Sequence, residues 1–475
     1  MPFFYLLSKK NNNPDTTGIN QYFLILLFLL TLFPFSNNAQ QLLISANNQT
    51  LIATDSVQPF WFVSNQHGKF SATGSFANLT DLYLGMNYDE SAFTGFSYSW
   101  GINGVAVLSS QNEFTLNRLF GAVACKGWEL KAGTFYDPVL YAGLSSTNGN
   151  LARSDNARPV PTIRFSTLGY KKLPFWQNWL SFKFEYDEGF LNDDRYVANA
   201  HLHHKSLYGK FRLTQTAWFT AGFEHYVMWG GKSPVYGQLP DGWTDYWQYV
   251  FALPGNDNFP GMDQTNISGN QLGAFQFEFE KQFAEWSLTA YVSHPFEDNS
   301  GLNWRNWPDN LIGVFMDLKN ERGLVSDLVF EFTNTRQQGI RDSKDKEYDN
   351  YYNHGIYRSG FTYRGLPMSS PLFFPVNIEN DIPMGIQSNR FYSFHTGVKG
   401  YLSESFAWKS MLTFVKHLGT YSVQYNEAQN VFSGLVDLSW QNPEFPVEIG
   451  VSAALDINSQ NGKNGGIQLK VAKSW

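Results

Sequence analysis

Apolar and polar residues alternate with a period of two along several stretches of the chain. Between Ser181 and Asp187, three aromatic residues alternate with Ser, Lys, Glu and Asp. In a strand, the aromatic residues would lie on one face and the polar residues on the other. The charged face would be costly to bury in hydrocarbon or in a dry core. The same pattern recurs at residues 95–105, 273–280, 286–293 and 447–458. Alternation alone fits either a soluble β-sandwich or a membrane β-barrel with a polar lumen.

The N-terminal region separates these two classes. Residues 22–33 form an unbroken apolar run of about a dozen residues, the length of the hydrophobic core of a signal peptide. A spanning helix needs roughly 20 such residues. Lys9 and Lys10 precede the run, and Asn37-Asn38-Ala39 offers a cleavage point. We therefore predict a signal peptide over residues 1–39 and an exported mature protein.

Composition favours the barrel. Aromatic residues make up 17% of the chain and charged residues only 16%, a balance rich in strand formers. Cys125 is the single cysteine, which excludes a disulfide framework. A net charge of -7 gives no basic surface for nucleic acid.

The C-terminal segment Ile467–Trp475 alternates and ends on an aromatic residue, as terminal strands of outer-membrane barrels do, although Lys473 departs from that pattern. Short turns and long loops should fall on opposite sides of the membrane. Working backwards from Trp475, this rule requires an irregular strand near Leu366–Val376. It then makes residues 137–160, 229–270, 294–310 and 335–353 extracellular.

The prediction is therefore an all-β protein: a single closed antiparallel transmembrane barrel with long extracellular loops and roughly 18 to 20 strands. We expect residues 40–56 to be a short periplasmic lead-in and residues 57–475 to form the barrel. The higher count includes strands at Pro59–Asn65 and Leu366–Val376.

Five stretches resemble the Wzi-like capsule assembly proteins as they occur in Bacteroidetes, and the similarity runs through nearly the whole mature chain. They are Pro59–Asn65, Asn156–Pro161, His201–Ser206, His225–Gly231 and Phe296–Leu302. The resemblance implies an outer-membrane barrel of about eighteen strands that binds capsular polysaccharide at the cell surface, helps to anchor it, and performs no chemistry of its own.

A surface sugar site needs aromatic faces for pyranose C–H groups, and polar or cationic side chains for hydroxyls and carboxylates. The predicted outer loops supply both kinds of residue, although aromatic residues also form interfacial girdles. The candidate contacts are Trp304, Arg305, Trp307, Trp243, Tyr246, Trp247, Arg153 and Arg158. Partners expected beside the polysaccharide are outer-membrane lipid, lipopolysaccharide and the barrel-insertion machinery, and we expect a monomer.

Two alternatives concern chemistry. His201, His203 and His204 have no cluster of further metal ligands nearby in the sequence, so we predict neither metal nor cofactor. A hydrolytic group could be drawn from Asp187, Glu188, Asp193, Asp194 and His201, but no catalytic motif fixes its geometry, so no catalytic residue is predicted.

The serious rival function is a porin or a channel for solutes or polysaccharide. The lumen-facing positions carry both signs of charge, as at Lys183, Glu185 and Glu278. Opposed charges either cross-link the walls into a closed interior or leave a wet pore, and the sequence does not decide between them.

Overall fold

The computed structural model describes residues 41–110, 112–173, 175–176, 179–265, 267–339, 348–442 and 444–475. The predicted signal peptide lies outside the described residues. The strands are β1 (Leu42–Ala53), β2 (Phe76–Met86), β3 (Phe96–Leu108), β4 (Glu113–Cys125), β5 (Trp128–Thr134), β6 (Thr162–Thr167), β7 (Lys171–Lys172), β8 (Leu180–Phe190), β9 (His201–Thr214), β10 (Ala217–Trp229), β11 (Lys232–Ser233), β12 (Gly237–Gln238), β13 (Asn270–Gln282), β14 (Ser287–Phe296), β15 (Asn310–Asp317), β16 (Asp327–Asn334), β17 (Thr362–Tyr363), β18 (Leu366–Pro367), β19 (Val376–Glu379), β20 (Ile382–Ile386), β21 (Phe391–Ser403), β22 (Phe406–Gly419), β23 (Gln424–Asn442), β24 (Phe445–Asn458) and β25 (Gly462–Ser474).

The helices are short: α1 (Phe60–Val63), α2 (Ser91–Thr94), α3 (Trp243–Val250), α4 (Gly261–Thr265) and α5 (Asn299–Leu302), with a 3-10 turn at Tyr141–Gly143. Across the described part of the chain, no helix combines the length and the apolar character that a membrane crossing requires.

Nineteen strands form one antiparallel sheet that closes on itself when β25 pairs with β1. Both β6 and β7 pair with β8, so they are two parts of one interrupted strand and the barrel has 18 strands. Closure pairs the backbone groups of both sheet edges, as a strand structure in lipid requires. The prediction of a closed barrel at the lower end of the expected strand count is confirmed.

The first strand corrects the predicted domain boundary. Residues 42–53 belong to the barrel, where Ser45 lies opposite Ser474 and Leu51 lies opposite Ala77, so the predicted lead-in over residues 40–56 is wrong. Asn48 and Thr50 interrupt its apolar face, so the alternation of apolar and polar residues did not predict a strand here. The Asn48 amide donates to Asn78 and Thr80 on β2, and the Asn78 amide donates to Thr50 at 2.8 Å. Neighbouring polar side chains therefore satisfy one another on this face.

The two additional strands of the higher count, at Pro59–Asn65 and Leu366–Val376, are not barrel strands. Pro59–Asn65 contains helix α1, and Leu366–Pro367 pairs only with Thr362–Tyr363. Strand β16 pairs directly with β21, so residues 335–390 leave and re-enter the barrel at the same end. Both segments resemble strands in the sequence because they bury apolar residues inside the barrel, as Trp61 does.

The two ends of the barrel differ. At the turn end, where β1 begins and β25 ends, connections such as 126–127, 215–216 and 404–405 are short. At the opposite end, the loop end, the chain makes its long connections, including 135–161, 230–269 and 335–390. The predicted long loops therefore all lie at one end. Large apolar side chains remain exposed on the outer wall, among them Leu82, Leu207, Phe330, Phe394 and Val451, which suits a lipid-facing surface.

Three loop-end connections fold into the barrel, at residues 54–75, at residues 135–161, and at the described residues 335–339 and 348–390, and we call them the interior segments. Trp61 and Phe62 pack against inward residues of β1 to β3, whereas Tyr352 and Phe373 join the largest buried cluster. The Tyr352 hydroxyl donates to the carbonyl of Leu151, which ties two interior segments together.

Wall side chains hold the interior segments by hydrogen bonds. The buried carboxylate of Glu331 on β16 accepts the backbone N–H of Ser146 at 2.8 Å and the Tyr291 hydroxyl at 2.7 Å, and it also accepts both serine hydroxyls of Ser145 and Ser146. His395 Nε2 lies 2.7 Å from the Leu144 carbonyl. Hydrogen bonds to an ionised group are stronger than neutral ones, so the interior segment 135–161 is fixed to the wall.

Replacing Glu331 by Ala should loosen this segment. Loss of the carboxylate leaves the buried Ser146 N–H without a partner, which costs about 1–3 kcal/mol of unfolding free energy. We expect faster hydrogen exchange of the amides at 144–150, measured by mass spectrometry, and a lower unfolding free energy. Glu404→Ala at the exposed turn end is the matched control. Unchanged exchange in Glu331→Ala would contradict this anchoring role.

Candidate functional site

A cavity of about 850 Å³ lies at the loop end, between residues 262–271, 297–298, 348–358, 377–387 and 420–425, and we call it the loop-end cavity. Its volume is within the range of ligand-binding pockets. Its lining is mainly polar and includes Asp298, Arg358, Asn377, Glu379, Gln387 and Ser422. This combination suits a ligand with many hydroxyl groups.

Asp309 positions one wall of the loop-end cavity by holding the start of the interior segment 335–390. Its carboxylate accepts the backbone N–H groups of Gln337 and Gln338, the latter at 2.7 Å, and the hydroxyl of Tyr351 at 3.1 Å. Burial raises the pKa of Asp309 to about 7, although these donors favour the ionised form. The cavity wall is therefore attached to the barrel rim through a buried carboxyl group.

Asn353 and Glu297 fix the residues behind the lining. The Asn353 side chain accepts the backbone N–H of Ile386 at 2.6 Å and donates to its carbonyl at 3.0 Å, copying a strand pair. Glu297 accepts the backbone N–H of Tyr352, and burial, reinforced by the charge of Asp349, raises its pKa well above the ordinary value. These contacts leave the exposed side chains of Arg358 and Gln387 at the surface of a rigid frame.

The lining can bind sugars by ordinary hydrogen bonding. Amide and carboxylate groups pair with hydroxyls, and the guanidinium of Arg358 offers a permanent positive charge to an acidic sugar. Burial lowers the pKa of His354 to about 4, so this lining residue is neutral at pH 7. The sequence interpretation missed these residues because they lack an aromatic cluster. Their only signal was the polar, asparagine-rich character of residues 348–390.

The predicted contacts Trp243, Tyr246 and Trp247 lie on helix α3, which covers the outside of the barrel wall. Tyr249 and Phe259 of the same connection pack on Val227 and Trp229, and the Tyr246 hydroxyl donates to Glu188. Asp187 faces the interior, where Arg164 binds it, so Glu188 faces outward. Trp243 is 74% exposed, with its ring centroid 5.3 Å from that of Trp247. This group is therefore a surface aromatic patch near the level of the rim.

Trp304 also lies against the outer wall. Its ring stacks on His294 with centroids 4.2 Å apart and on Phe275 at 5.3 Å. The preceding Ser293 faces inward, because its hydroxyl accepts the Leu151 N–H, so His294 faces outward. Trp304 and Trp307 remain 37% and 55% exposed, and Arg305 is exposed beside them. Their place matches an interfacial girdle, and their role in sugar binding stays a prediction.

The predicted contacts Arg153 and Arg158 have protein partners. Arg153 forms an ion pair with Asp137 and lies 3.8 Å from Asp187, whereas Arg158 donates to the Gly68 carbonyl at 3.0 Å and to Glu113 at 2.7 Å. Both guanidinium groups connect interior segments to one another or to the wall. Sugar binding by either one stays a prediction.

Asp137 lies in a network of ion pairs. Burial alone would raise the pKa of Asp137, but Arg153 and Arg164 outweigh it and hold the pKa below the ordinary value. Arg164 also binds Asp187 through two nitrogen atoms at 2.8 to 3.0 Å. The network is therefore an inward-facing ionic cross-link between the wall and the interior segment 135–161.

The residues considered for metal binding or hydrolysis lie on different faces. Ligand atoms of Glu185, Asp187 and His204 lie within 4.8 Å of one another inside the barrel, but Arg164 already neutralises Asp187. His203 and Glu188 pair on the outer face at 2.6 Å. The hydrolytic group considered in the sequence analysis therefore has members on both faces of the wall, as Asp187 and Glu188 show.

The fold and the loop-end cavity define a class: an 18-stranded antiparallel membrane-type barrel with a filled interior and a polar cavity at one end. The family model of the capsule assembly protein Wzi matches residues 36–373, and the chain therefore belongs to the Wzi capsule assembly family.

The chain is similar to two solved structures, of which the first supports the fold. The chain resembles Wzi, an outer-membrane protein involved in group 1 capsule assembly in Escherichia coli and described as a carbohydrate-binding β-barrel, with a TM-score of 0.59 at 16% identity over 90% of this chain and 83% of that one. OccAB2 of Acinetobacter baumannii gives a TM-score of 0.48 at 8% identity, covering 93% of this chain and 98% of that one. No curated protein sequence matches.

Replacing Asp155 by Asn tests the electrostatics of the interior. Burial, reinforced by Asp137, raises the pKa of Asp155 to about 7, and burial lowers that of the neighbouring His67 to about 3. A carboxyl group whose pKa is higher in the folded state than in the unfolded state contributes to stability at low pH, because the folded state holds its proton more tightly. This contribution is lost as the pH rises through 7. We therefore expect Asp155→Asn to raise the unfolding free energy at pH 8 and to change it little at pH 4.

Denaturant unfolding of the purified barrel in detergent micelles at pH 4, 6 and 8 measures this difference. Asp194→Asn, at an exposed position, serves as the control. An effect of Asp155→Asn that is equal at pH 4 and pH 8 would be inconsistent with a buried carboxyl group of raised pKa.

Proposed function

We propose that this protein is an outer-membrane barrel that binds capsular polysaccharide in the loop-end cavity and holds it at the cell surface during capsule assembly. The observation that carries this proposal is the position of a large polar cavity at the loop end of a barrel whose interior is occupied by its own chain. A ligand in this cavity is held at the surface. Membership of the capsule assembly family and the carbohydrate binding described for the Escherichia coli protein support the same function.

The outer wall of the barrel supports a location in the outer membrane. Its exposed apolar side chains fit a lipid-facing surface. The aromatic groups at Trp243 and Trp304 lie beside this surface at the loop end, where amphipathic rings favour a membrane interface. We expect them to contact the outer leaflet, with lipopolysaccharide as the neighbouring lipid. Signal-peptide export and a monomeric state complete the proposal.

No reaction is included in this proposal. The loop-end cavity offers amide, hydroxyl and carboxyl groups and one guanidinium, which suit recognition of hydroxyl groups. A channel for polymer export has less support, because the described parts of the interior segments pack inside the barrel and are hydrogen-bonded to its wall.

Removing two exposed lining groups should release polysaccharide from the cell. In a strain that lacks the gene, complementation with Arg358→Ala/Gln387→Ala should leave most of the polymer shed into the medium, because each substitution removes an exposed polar group that lines the cavity. Cell-bound and shed polysaccharide are measured after gentle washing.

The matched control is Gln460→Ala/Lys463→Ala, which removes one amide and one cation from an exposed loop-end hairpin outside the cavity. It should restore retention to the level of the unmodified protein. Full retention of polysaccharide by cells with Arg358→Ala/Gln387→Ala would contradict the assignment of the loop-end cavity as the binding site.

A further inference from the structure

A second cavity lies inside the barrel beneath the interior segment 135–161. It has a volume of about 290 Å³ and lies between that segment and the inward faces of β8, β9, β10, β13 and β14, and we call it the lumen cavity. Tyr170, which is 40% exposed, and Lys183, whose side chain is 32% exposed, line it near the turn end. Asp137 and Arg153 close it towards the loop end. The lumen cavity is therefore approached from the turn end.

Aromatic faces form part of its wall. The rings of Tyr141 and Tyr291 stack with centroids 4.2 Å apart, and Tyr208 and Tyr226 contribute two further rings from neighbouring strands. Flat rings of this kind pack against the C–H groups of a sugar ring, while their hydroxyls donate and accept hydrogen bonds.

The charges of the lumen cavity are unbalanced. Its cations Lys183 and Arg153 are paired with Glu185 and Asp137. Three further carboxyl groups line it, those of Asp155, Glu224 and Glu278. Glu224 accepts hydrogen bonds from the Asn150 amide at 2.8 Å and from the Tyr208 hydroxyl, and Glu278 accepts one from the Tyr141 hydroxyl at 3.0 Å. An excess of carboxylate repels acidic ligands and favours neutral or cationic ones.

His204 supplies an independent sign of an absent ligand. Its side chain is 3% exposed, its Nδ1 lies 3.1 Å from Asp187, and its Nε2 has no hydrogen-bond partner among the described residues. His204 lines the lumen cavity and stacks on Tyr226 at 4.2 Å. Because His204 lines the lumen cavity, this nitrogen can form a hydrogen bond with a hydroxyl group of a bound sugar.

We propose that the lumen cavity is a second saccharide site, which takes one neutral or amino sugar residue from the turn end. Its volume is near the lower limit of small-molecule pockets, which suits a single ring rather than a chain. Uronates are excluded by charge. The site goes beyond the proposed surface anchoring, since its lining residues, mainly in the interior segment 135–161 and the inward faces of β8, β9, β10, β13 and β14, are different from those of the loop-end cavity.

Ligand-observed NMR with the purified full chain in a sugar-free detergent tests this site, with glucosamine, glucose and glucuronate as probes. Glucosamine should bind more tightly than glucose, and glucuronate should not bind. Glu278→Gln should weaken glucosamine binding, and Lys183→Met at the open end should strengthen it, each by roughly threefold to tenfold in Kd. Opposite shifts cannot arise from misfolding alone.

Absence of glucosamine and glucose binding, glucuronate binding of similar strength, or a Kd that neither variant changes would each overturn the lumen site. The loop-end variant Arg358→Ala/Gln387→Ala should leave glucosamine binding unchanged. If it abolishes binding, the sugar occupies the loop-end cavity, and the lumen proposal fails while surface binding stands. Polymer retention in cells is measured separately, so the two proposals fail independently.

Discussion

The wide interior of the barrel must be filled, and this requirement determines how the long connections fold. A barrel of 18 strands encloses more space than the side chains of its own wall can fill. The long loop-end connections fill much of it, and inward carboxylates hold them there. Glu331 binds the backbone and hydroxyls of residues 145–146, and Asp187 binds Arg164 beside the Arg153–Asp137 pair. A buried charge is tolerated only when paired and hydrogen-bonded, so wall and interior segments stabilise each other.

The same residues explain how far the sequence interpretation reached. Alternating charge at Lys183, Glu185 and Asp187 predicted a polar lumen, and the lengths of the connections predicted which end carries the loops. Strand β1 was not predicted, because Asn48 and Thr50 interrupt the apolar pattern of its outer face. These side chains form hydrogen bonds with Asn78 and Thr80, on a strand that lies about 30 residues further along the chain. Periodicity within one segment cannot show such a partner.

The candidate site was harder to predict for a related reason. Tryptophan clusters indicate either sugar platforms or membrane girdles, and only the direction of the underlying strand residue separates these roles. Trp304 stacks on the outward His294, and α3 covers the outward Glu188. The loop-end cavity depends on residues 335–390 meeting residues 262–271 and 420–425, a long-range arrangement that composition does not encode. The same packing leaves two cavities, one at the loop end and one lined by the interior segment 135–161, which we propose to bind a surface polymer and a single sugar ring respectively.

The central claim is that the interior segments close the barrel, so that it binds rather than conducts. Planar-bilayer recording of the purified full-length barrel tests this claim most directly. We expect the protein to insert and to remain silent at moderate voltage. A steady, large open-state conductance would contradict this closure, because the Glu331 contacts hold the interior segment 135–161 inside the barrel.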